Sequence, residues 1–400
     1  MKKRRNVPTA RSHKVVFFIV KVLSFIYTRL FLGYRCRDKY HIKKGESVLV
    51  LSNHQTDYDP LCIFPCFNRP TYPVATDNIF SGKFVSRLLS YLNVIPKKKG
   101  VSDISTVMKM GATLKNGASV LLFPEGNRYY AEFQYYINPN IVKFIKSSGA
   151  TLVLFNIHGG SGVSPRFSHK NRHGKFFGEI KRVLTFEEYK DMNNDELFSL
   201  IKKEIRVFDS ESGELYRSAE RAEYLERMLF VCPKCSAKQT LFSEKQYIRC
   251  SACGLEVEYG EDLRLKSDDK SFRFCRLIDW WNFQKKYMRE MTISPGDVIF
   301  FDRDVKLFSS EPFKGKKLLA KGDATVDESV LRCGNVGFDI NKIEAASVVS
   351  GRKLTFVCEN KSYMLIGDIR FNPLKYVFLF NKLDTKMKLL STDKYFNTEE

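Results

Sequence analysis

Short unbroken apolar runs, separated by segments with helical spacing, set the pattern of the first half of the chain. Residues 48–51, 120–123 and 152–157 carry almost no polar alternation, as strands buried on both faces do. Between the first two, Ile104, Val107, Met108, Gly111 and Leu114 recur at helical spacing, with Ser102 as N-cap and Gly117 as terminator. A further helix is predicted from Pro139 through Val142, Phe144 and Ile145 to Gly149. Strand and helix in alternation predict an α/β domain with a largely parallel sheet. Its expected extent is residues 41–230, closing in charged helices near 195–207 and 213–228.

Beyond this block the pattern changes. Two tight cysteine pairs define a module over residues 231–260. Residues 274–291 then read as a helix carrying the adjacent Trp280 and Trp281. From residue 297 the chain turns β-like, with runs at 298–301, 353–357, 363–366 and 376–380. The last of these also reads as a closing helix over 372–380. We therefore expect a linker helix and a small β-rich domain over 261–400, resembling a pleckstrin-homology-type domain, able to bind lipid or a partner or to regulate. It offers no catalytic constellation.

The first forty residues form a segment of their own. Lys2, Lys3, Arg4, Arg5, Arg11 and Lys14 precede an apolar stretch over 15–33. Lys21 and Arg29 interrupt the stretch and no small-residue cleavage site is evident, which argues against a signal peptide or a spanning helix. On a helical wheel Lys14, Lys21, Ser24, Thr28 and Arg35 share one stripe. Ile19, Val22, Leu23, Ile26 and Leu30 lie away from it, and Phe17 interrupts the polar stripe. The expectation is a helix lying in a membrane interface with its basic flank toward anionic lipid; a core helix is the competing reading.

Charge fits that expectation without selecting it. The 400 residues carry a formal charge of +21, which calls for an anionic partner: a membrane, a nucleic acid, or an acidic carrier and phosphorylated substrates. Hydrophobic content of 44% excludes a disordered chain. Six of the ten cysteines are scattered, which reads as a reduced protein facing the cytosol rather than a disulfide scaffold.

Candidate chemistry sits where two apolar strands end. Asn53-His54-Gln55-Thr56-Asp57-Tyr58-Asp59 follows the first, and Phe123-Pro124-Glu125-Gly126-Asn127-Arg128 follows the second. Loops at the carboxyl ends of parallel strands converge on one edge, where ligands bind. A histidine there can take a proton from a hydroxyl, and a nearby carboxylate can orient its ring. Asp57 rivals Asp59 for that position. Arg128 offers a permanently charged fork for phosphate or closes a salt bridge, and Gly126 lets backbone approach a ligand. Lys97, Lys98 and Lys99 add positive charge. His158-Gly159-Gly160 lacks the elbow that an esterase would pair with it and reads as a strand-end turn. His169 and His173, without acidic neighbours in sequence, read as surface residues.

These two blocks resemble the glycerolipid acyltransferase family that includes the 1-acylglycerol-3-phosphate acyltransferases, over roughly residues 40–210. The family's Asn-His-x4-Asp block falls on Asn53, His54 and Asp59. Its Phe-Pro-Glu-Gly-Thr-Arg block falls on residues 123–128, with Asn127 in place of threonine. A second block would place a glycine at Asn93 and an arginine at Lys99, and a proline of the fourth block would fall on Leu154; these two depart from the pattern. The resemblance implies His54 as general base and Asp59 as its partner, with Asn53, Lys99, Glu125, Gly126, Asn127 and Arg128 around the acceptor. It implies an acyl thioester donor (acyl-CoA or acyl carrier protein) and a lysophosphatidate-type acceptor, with the enzyme on the cytoplasmic face of a phospholipid membrane, peripheral or monotopic.

Cys232-x-x-Cys235 and Cys250-x-x-Cys253 have the spacing of a zinc ribbon with a structural, four-thiolate site. Ribbons also bind nucleic acid or protein. A nucleic-acid or partner-binding scaffold on a degenerate fold is therefore one alternative, although the intact His54, Asp59 and Arg128 argue against it. A lipid hydrolase on the same fold is another.

Overall fold

The computed structural model describes residues 10–76, 83–97, 104–128, 130, 132, 136–311, 315–349 and 351–383. The chain folds as two compact units, one of Met1–Arg128, Ile137–Gly160 and Lys175–Val207, the other of the remaining segments and everything from Phe208 onward.

The first unit is an α/β domain. Its strands are β1 (Arg35–Cys36), β2 (Val48–Ser52), β3 (Thr71–Thr76), β4 (Ile95–Lys97), β5 (Ser119–Leu122), β6 (Thr151–His158) and β7 (Phe177–Leu184). Its helices are α1 (Ala10–Phe31), α2 (Asp59–Ile63), α3 (Lys83–Tyr91), α4 (Ile104–Lys115) and α5 (Ile141–Ser148). Of the turn α6 (Gly160–Val163) only Gly160 belongs to this unit; the single turn α7 (Phe186–Tyr189) and the longer α8 (Asn194–Glu204) follow. The sheet order is β1-β7-β6-β2-β5-β3-β4. Its centre is parallel, β2 lying between β5 and β6, while β7 runs antiparallel to β6. The fully buried β2 explains its unbroken Val-Leu-Val-Leu run. Leu49, Leu51, Val120, Leu152 and Leu154 pack with Met110 and Leu114 of α4, Val142 and Ile145 of α5, and Leu197 and Ile201 of α8. The predicted terminators hold: Gly117 and Gly149 both take positive φ, 72° and 63°, where a β-carbon would be strained.

Helix α1 packs in a way the wheel inverts. Ser24, Thr28 and Phe17 are buried and Lys21 donates to the Phe67 carbonyl, so the narrow polar stripe faces the domain. Phe17, which broke that stripe in sequence, stacks obliquely against Phe64 at 5.3 Å. The apolar positions point outward, with Leu30 72%, Phe18 66% and Leu23 58% exposed. The expectation that the basic flank meets lipid is thus corrected at Lys21. Among the described residues no helix is long and apolar enough to cross a membrane. A second correction concerns the scattered cysteines: Cys36 on β1 and Cys66, just after α2, form a disulfide with a Cα–Cα distance of 5.9 Å.

The second unit contains the cysteine module, a helix and a β-rich region. The module holds β8 (Leu241–Glu244), β9 (Tyr247–Cys250), β10 (Glu256–Tyr259) and β11 (Leu265–Lys266) as a four-stranded sheet. Helix α9 (Leu277–Glu290) buries Trp280 and Trp281. Then come β12 (Phe300–Glu311), β13 (Gly315–Val326), β14 (Val330–Cys333), β15 (Val336–Asp339), β16 (Ile343–Val349), β17 (Lys353–Cys358) and β18 (Lys361–Ile366), capped by α10 (Leu374–Leu383). Their order, β15-β14-β13-β12-β18-β17-β16, is an antiparallel meander with its first and last strands paired. Residues 376–380 are helical, resolving the two readings of that run.

The predicted helix over 213–228 does not form. Only Leu225–Arg227 makes a 3-10 turn, after Tyr224 in the left-handed region at φ 73°. The Ala222 N–H goes instead to the Lys245 carbonyl and the Tyr224 N–H to Ser243 Oγ, so the cysteine module takes donors a helix would need.

Candidate active site and metal centre

The sheet brings the ends of β2 and β5 together, and His54 and Phe123 leave those ends side by side, their rings stacked at 4.2 Å and 20°. Asn53 fixes the loop from the other side. Its side chain donates to the Ile157 carbonyl and accepts from the Ile157 N–H, both at 2.8 Å, extending the β2–β6 pairing by one side chain. Gln55 Oε1 accepts from the Gly160 N–H at 2.8 Å. A β-carbon on Gly160 would lie 2.5 Å from that oxygen, which is why the turn after β6 needs glycine there. The His158-Gly159-Gly160 segment, read from sequence as a strand-end turn, is one, and it braces the histidine loop.

Asp59 opens α2 and is fully buried. His54 Nδ1 lies 2.7 Å from its Oδ2, which also accepts from the Gln55 N–H at 2.7 Å and the Thr56 N–H at 3.0 Å. Oδ1 accepts from Thr56 Oγ1 at 2.6 Å. Donors thus surround the carboxylate on both oxygens. With the Nδ1 proton committed to Asp59, Nε2 is left as the acceptor nitrogen of the ring. Of the rivals, Asp59 rather than Asp57 partners the histidine. Asp57 takes another role: its Oδ1 meets Arg128 Nε at 2.9 Å.

The second block turns as its glycine predicts, Gly126 at φ 67° donating to the Phe123 carbonyl at 3.0 Å. Glu125 is fully buried, Asn127 and Arg128 partly so. Asn53 was placed among the acceptor contacts on sequence; burial and two bonds to Ile157 make it instead a brace for the loop. Lys98 and Lys99 lie outside the described residues, and Lys97 ends β4 at the carboxyl edge of the sheet. Asn93, at the family's glycine position, takes φ 51°, a conformation glycine adopts without cost and asparagine tolerates. Leu154, at the proline position, is buried in β6 and pairs with Leu51 of β2 and Arg182 of β7, where a proline would remove a ladder donor. The salt bridge that the sequence left open for Arg128 is formed, but its partner, Asp57, was not named, since nothing local to either residue signals a contact so far along the chain.

The cysteine module passes a geometric test for a metal. The Sγ atoms of Cys232, Cys235, Cys250 and Cys253 lie within 4.8 Å of one another, with Cys232–Cys253 at 3.6 Å and Cys235–Cys250 at 3.8 Å. Tetrahedral thiolates at about 2.3 Å from zinc stand about 3.8 Å apart, so the set fits that ion. Each knuckle closes alike: Ser236 and Gly254 donate to the carbonyls of Cys232 and Cys250 at 2.9 and 3.0 Å, with φ of 58° and 70°. His169 and His173 stand apart from this cluster. Both are exposed, as the sequence suggested, with His169 partnered by the Arg227 guanidinium and His173 paired through its backbone with Arg217.

The central strands of the α/β sheet thus deliver a histidine–carboxylate pair and an arginine loop to one edge. Residues 33–157, about a third of the chain, match the family model described as Acyltransferase, and both blocks lie within the match. The rest of the chain lies outside that match. Among solved structures, the 1-acyl-sn-glycerophosphate (LPA) acyltransferase PlsC from Thermotoga maritima is similar at 18% identity and a TM-score of 0.43, covering 50% of this chain and 80% of that one. So distant a likeness carries no argument. No curated protein matches the chain.

Proposed function

We propose that the protein transfers a fatty acyl group from an acyl thioester (acyl-CoA or acyl carrier protein) to the hydroxyl of a glycerophosphate-type lipid, with lysophosphatidate as the simplest such acceptor. The observation that carries this reading is the His54–Asp59 pair, whose carboxylate is saturated by donors and whose ring is held by Phe123. His54 Nε2 takes the acceptor proton as its oxygen attacks the thioester carbonyl. The imidazolium formed is stabilised by Asp59 and returns the proton to the leaving thiolate. No protein nucleophile is required, since the acceptor supplies the hydroxyl. Arg128 binds the phosphate and converts attack into an oriented step.

The outward apolar face of α1 supports a peripheral or monotopic position on a membrane, the domain gripping the helix by its polar stripe while Leu23, Ile26 and Leu30 enter the lipid interface. The cytoplasmic face is the side on which acyl-CoA and carrier proteins are found. Zinc is the structural ion that the four thiolates would hold, stabilising the ribbon without entering the chemistry. The test is acyl transfer by purified protein to lysophosphatidate, glycerol 3-phosphate and lysophospholipids, with both donor types. His54→Ala should lower turnover about a hundredfold or more; undiminished transfer by that variant would remove the mechanism. Release of free fatty acid that no acceptor suppresses would favour a hydrolase instead.

A further inference from the structure

The Asp57–Arg128 pair, on the acyltransferase reading, bears on which acceptor the site takes. Asp57 stands two residues before Asp59, in the histidine loop itself, and its side chain is 71% exposed against 14% for Arg128. The contact between them runs through Arg128 Nε at 2.9 Å. A guanidinium carries five N–H donors, so a phosphate can share it with Asp57. That phosphate would then lie close to a carboxylate. At about 6 Å and an effective dielectric between those of protein surface and water, the repulsion is worth roughly tenfold in affinity for each phosphate charge. A phosphate monoester, carrying up to two charges, meets the largest penalty.

The surroundings of Asp57 favour the opposite sign of partner. Tyr58 follows it directly, and the Tyr58 ring lies 5.8 Å from that of Tyr27 on α1. Burial and a hydrogen bond that the Tyr58 hydroxyl donates to Tyr27 push the Tyr58 phenol upward, the Asp57 charge adding to the shift and Arg128 opposing it. An exposed carboxylate is the chemistry that draws an ammonium, and an arginine adjoining it is the chemistry that holds a phosphate.

We propose that Asp57 is a specificity-determining residue, and that with Arg128 it selects an acceptor whose phosphate is esterified to an ammonium-bearing head group. Such a zwitterionic lysophospholipid carries one phosphate charge rather than two, and its cation turns Asp57 from a repulsive neighbour into an attractive one. Lysophosphatidate has neither advantage.

The experiment compares three acceptors with the full-length protein in mixed micelles, oleoyl-coenzyme A as donor: 1-oleoyl lysophosphatidate, 1-oleoyl lysophosphatidylglycerol and 1-oleoyl lysophosphatidylethanolamine. The glycerol head group separates the loss of one phosphate charge from the gain of an ammonium. For wild type, kcat/KM should be highest with the ethanolamine acceptor and lowest with lysophosphatidate. Asp57→Asn, an exposed and nearly isosteric change, should raise kcat/KM on lysophosphatidate and lower it on the ethanolamine acceptor, moving their ratio at least tenfold. A wild-type preference for lysophosphatidate over the zwitterion overturns the inference without any variant. So does an Asp57→Asn protein that loses the same factor on all three, since an aspartate that merely steadies Arg128 gives that result. In both cases the acyltransferase reading survives. Transfer by the wild type to none of the three removes both.

Discussion

Replacing Asp59 by asparagine isolates the charge of the carboxylate from its geometry. Three donors converge on Oδ2, from His54 Nδ1, the Gln55 N–H and the Thr56 N–H, whereas Oδ1 meets only the Thr56 hydroxyl. An asparagine NH2 group placed at the Oδ2 position would face three donors. It must therefore occupy the Oδ1 position, opposite a hydroxyl that can accept, and the amide oxygen keeps the place facing His54. The ring orientation and tautomer survive. What is lost is the charge: three bonds to an anion become neutral ones, roughly half as strong, and the imidazolium formed during attack loses its counter-ion. We expect kcat to fall about a hundredfold, near 2.7 kcal/mol, with little change in acceptor KM. Asp59→Ala should behave differently, leaving two backbone N–H groups buried without partners and destabilising the domain by about 2–6 kcal/mol. The assay is steady-state acyl transfer by purified variants together with their thermal midpoints. Because Asp59 acts through His54, the double variant His54→Ala, Asp59→Asn should be no slower than His54→Ala alone. An additive double variant, or an Asp59→Asn enzyme within a few-fold of wild type, would refute the reasoning.

Three further outcomes are expected. The protein as purified should contain about one zinc ion per chain, and Cys232→Ser or Cys250→Ser should lose the ion and lower the melting temperature of the second unit, since four-thiolate sites stabilise folding outright; full metal content in either variant argues against the site. Leu23→Asp combined with Ile26→Asp should reduce co-sedimentation with anionic liposomes at least tenfold while leaving the circular dichroism spectrum unchanged, because both residues are exposed and the packed face of α1 is untouched. Finally, burial and the Asp209 carboxylate push Glu132 up to about 8, against Ser210 donors that pull it down. The folded state then holds a proton that the unfolded chain releases, so this residue's contribution should be fully present below about pH 4.5, decline as pH rises toward 8 and level off above. Glu132→Gln should flatten that slope, by a difference on the order of a few kcal/mol between denaturation curves at pH 5 and pH 8; parallel wild-type and variant curves would show that Glu132 is not the group.

What the sequence by itself determined was whatever is local in cause. A strand buried on both faces must be apolar throughout, so β2 and β5 could be read directly. Helix ends that need a left-handed residue announced themselves at Gly117 and Gly149, and the knuckles required cysteines at fixed spacing. The histidine and its carboxylate were legible for the same reason, since a tight loop places residues four or five apart in contact. Periodicity left two readings where burial is uniform: residues 374–381 are buried on every side, so no polar stripe chose helix over strand for α10. Propensity failed at residues 213–228, where bonds to the cysteine module outweighed the helical preference of the side chains. Only the tertiary structure decided that α1 turns its polar stripe inward, because a wheel shows two faces but not which one the domain offers partners to. Likewise, only the parallel register of β2 and β5 brings Asp57 to Arg128 and places an acidic charge beside the arginine expected to hold phosphate. That contact depends on two strands lying side by side, which no property of either segment alone encodes.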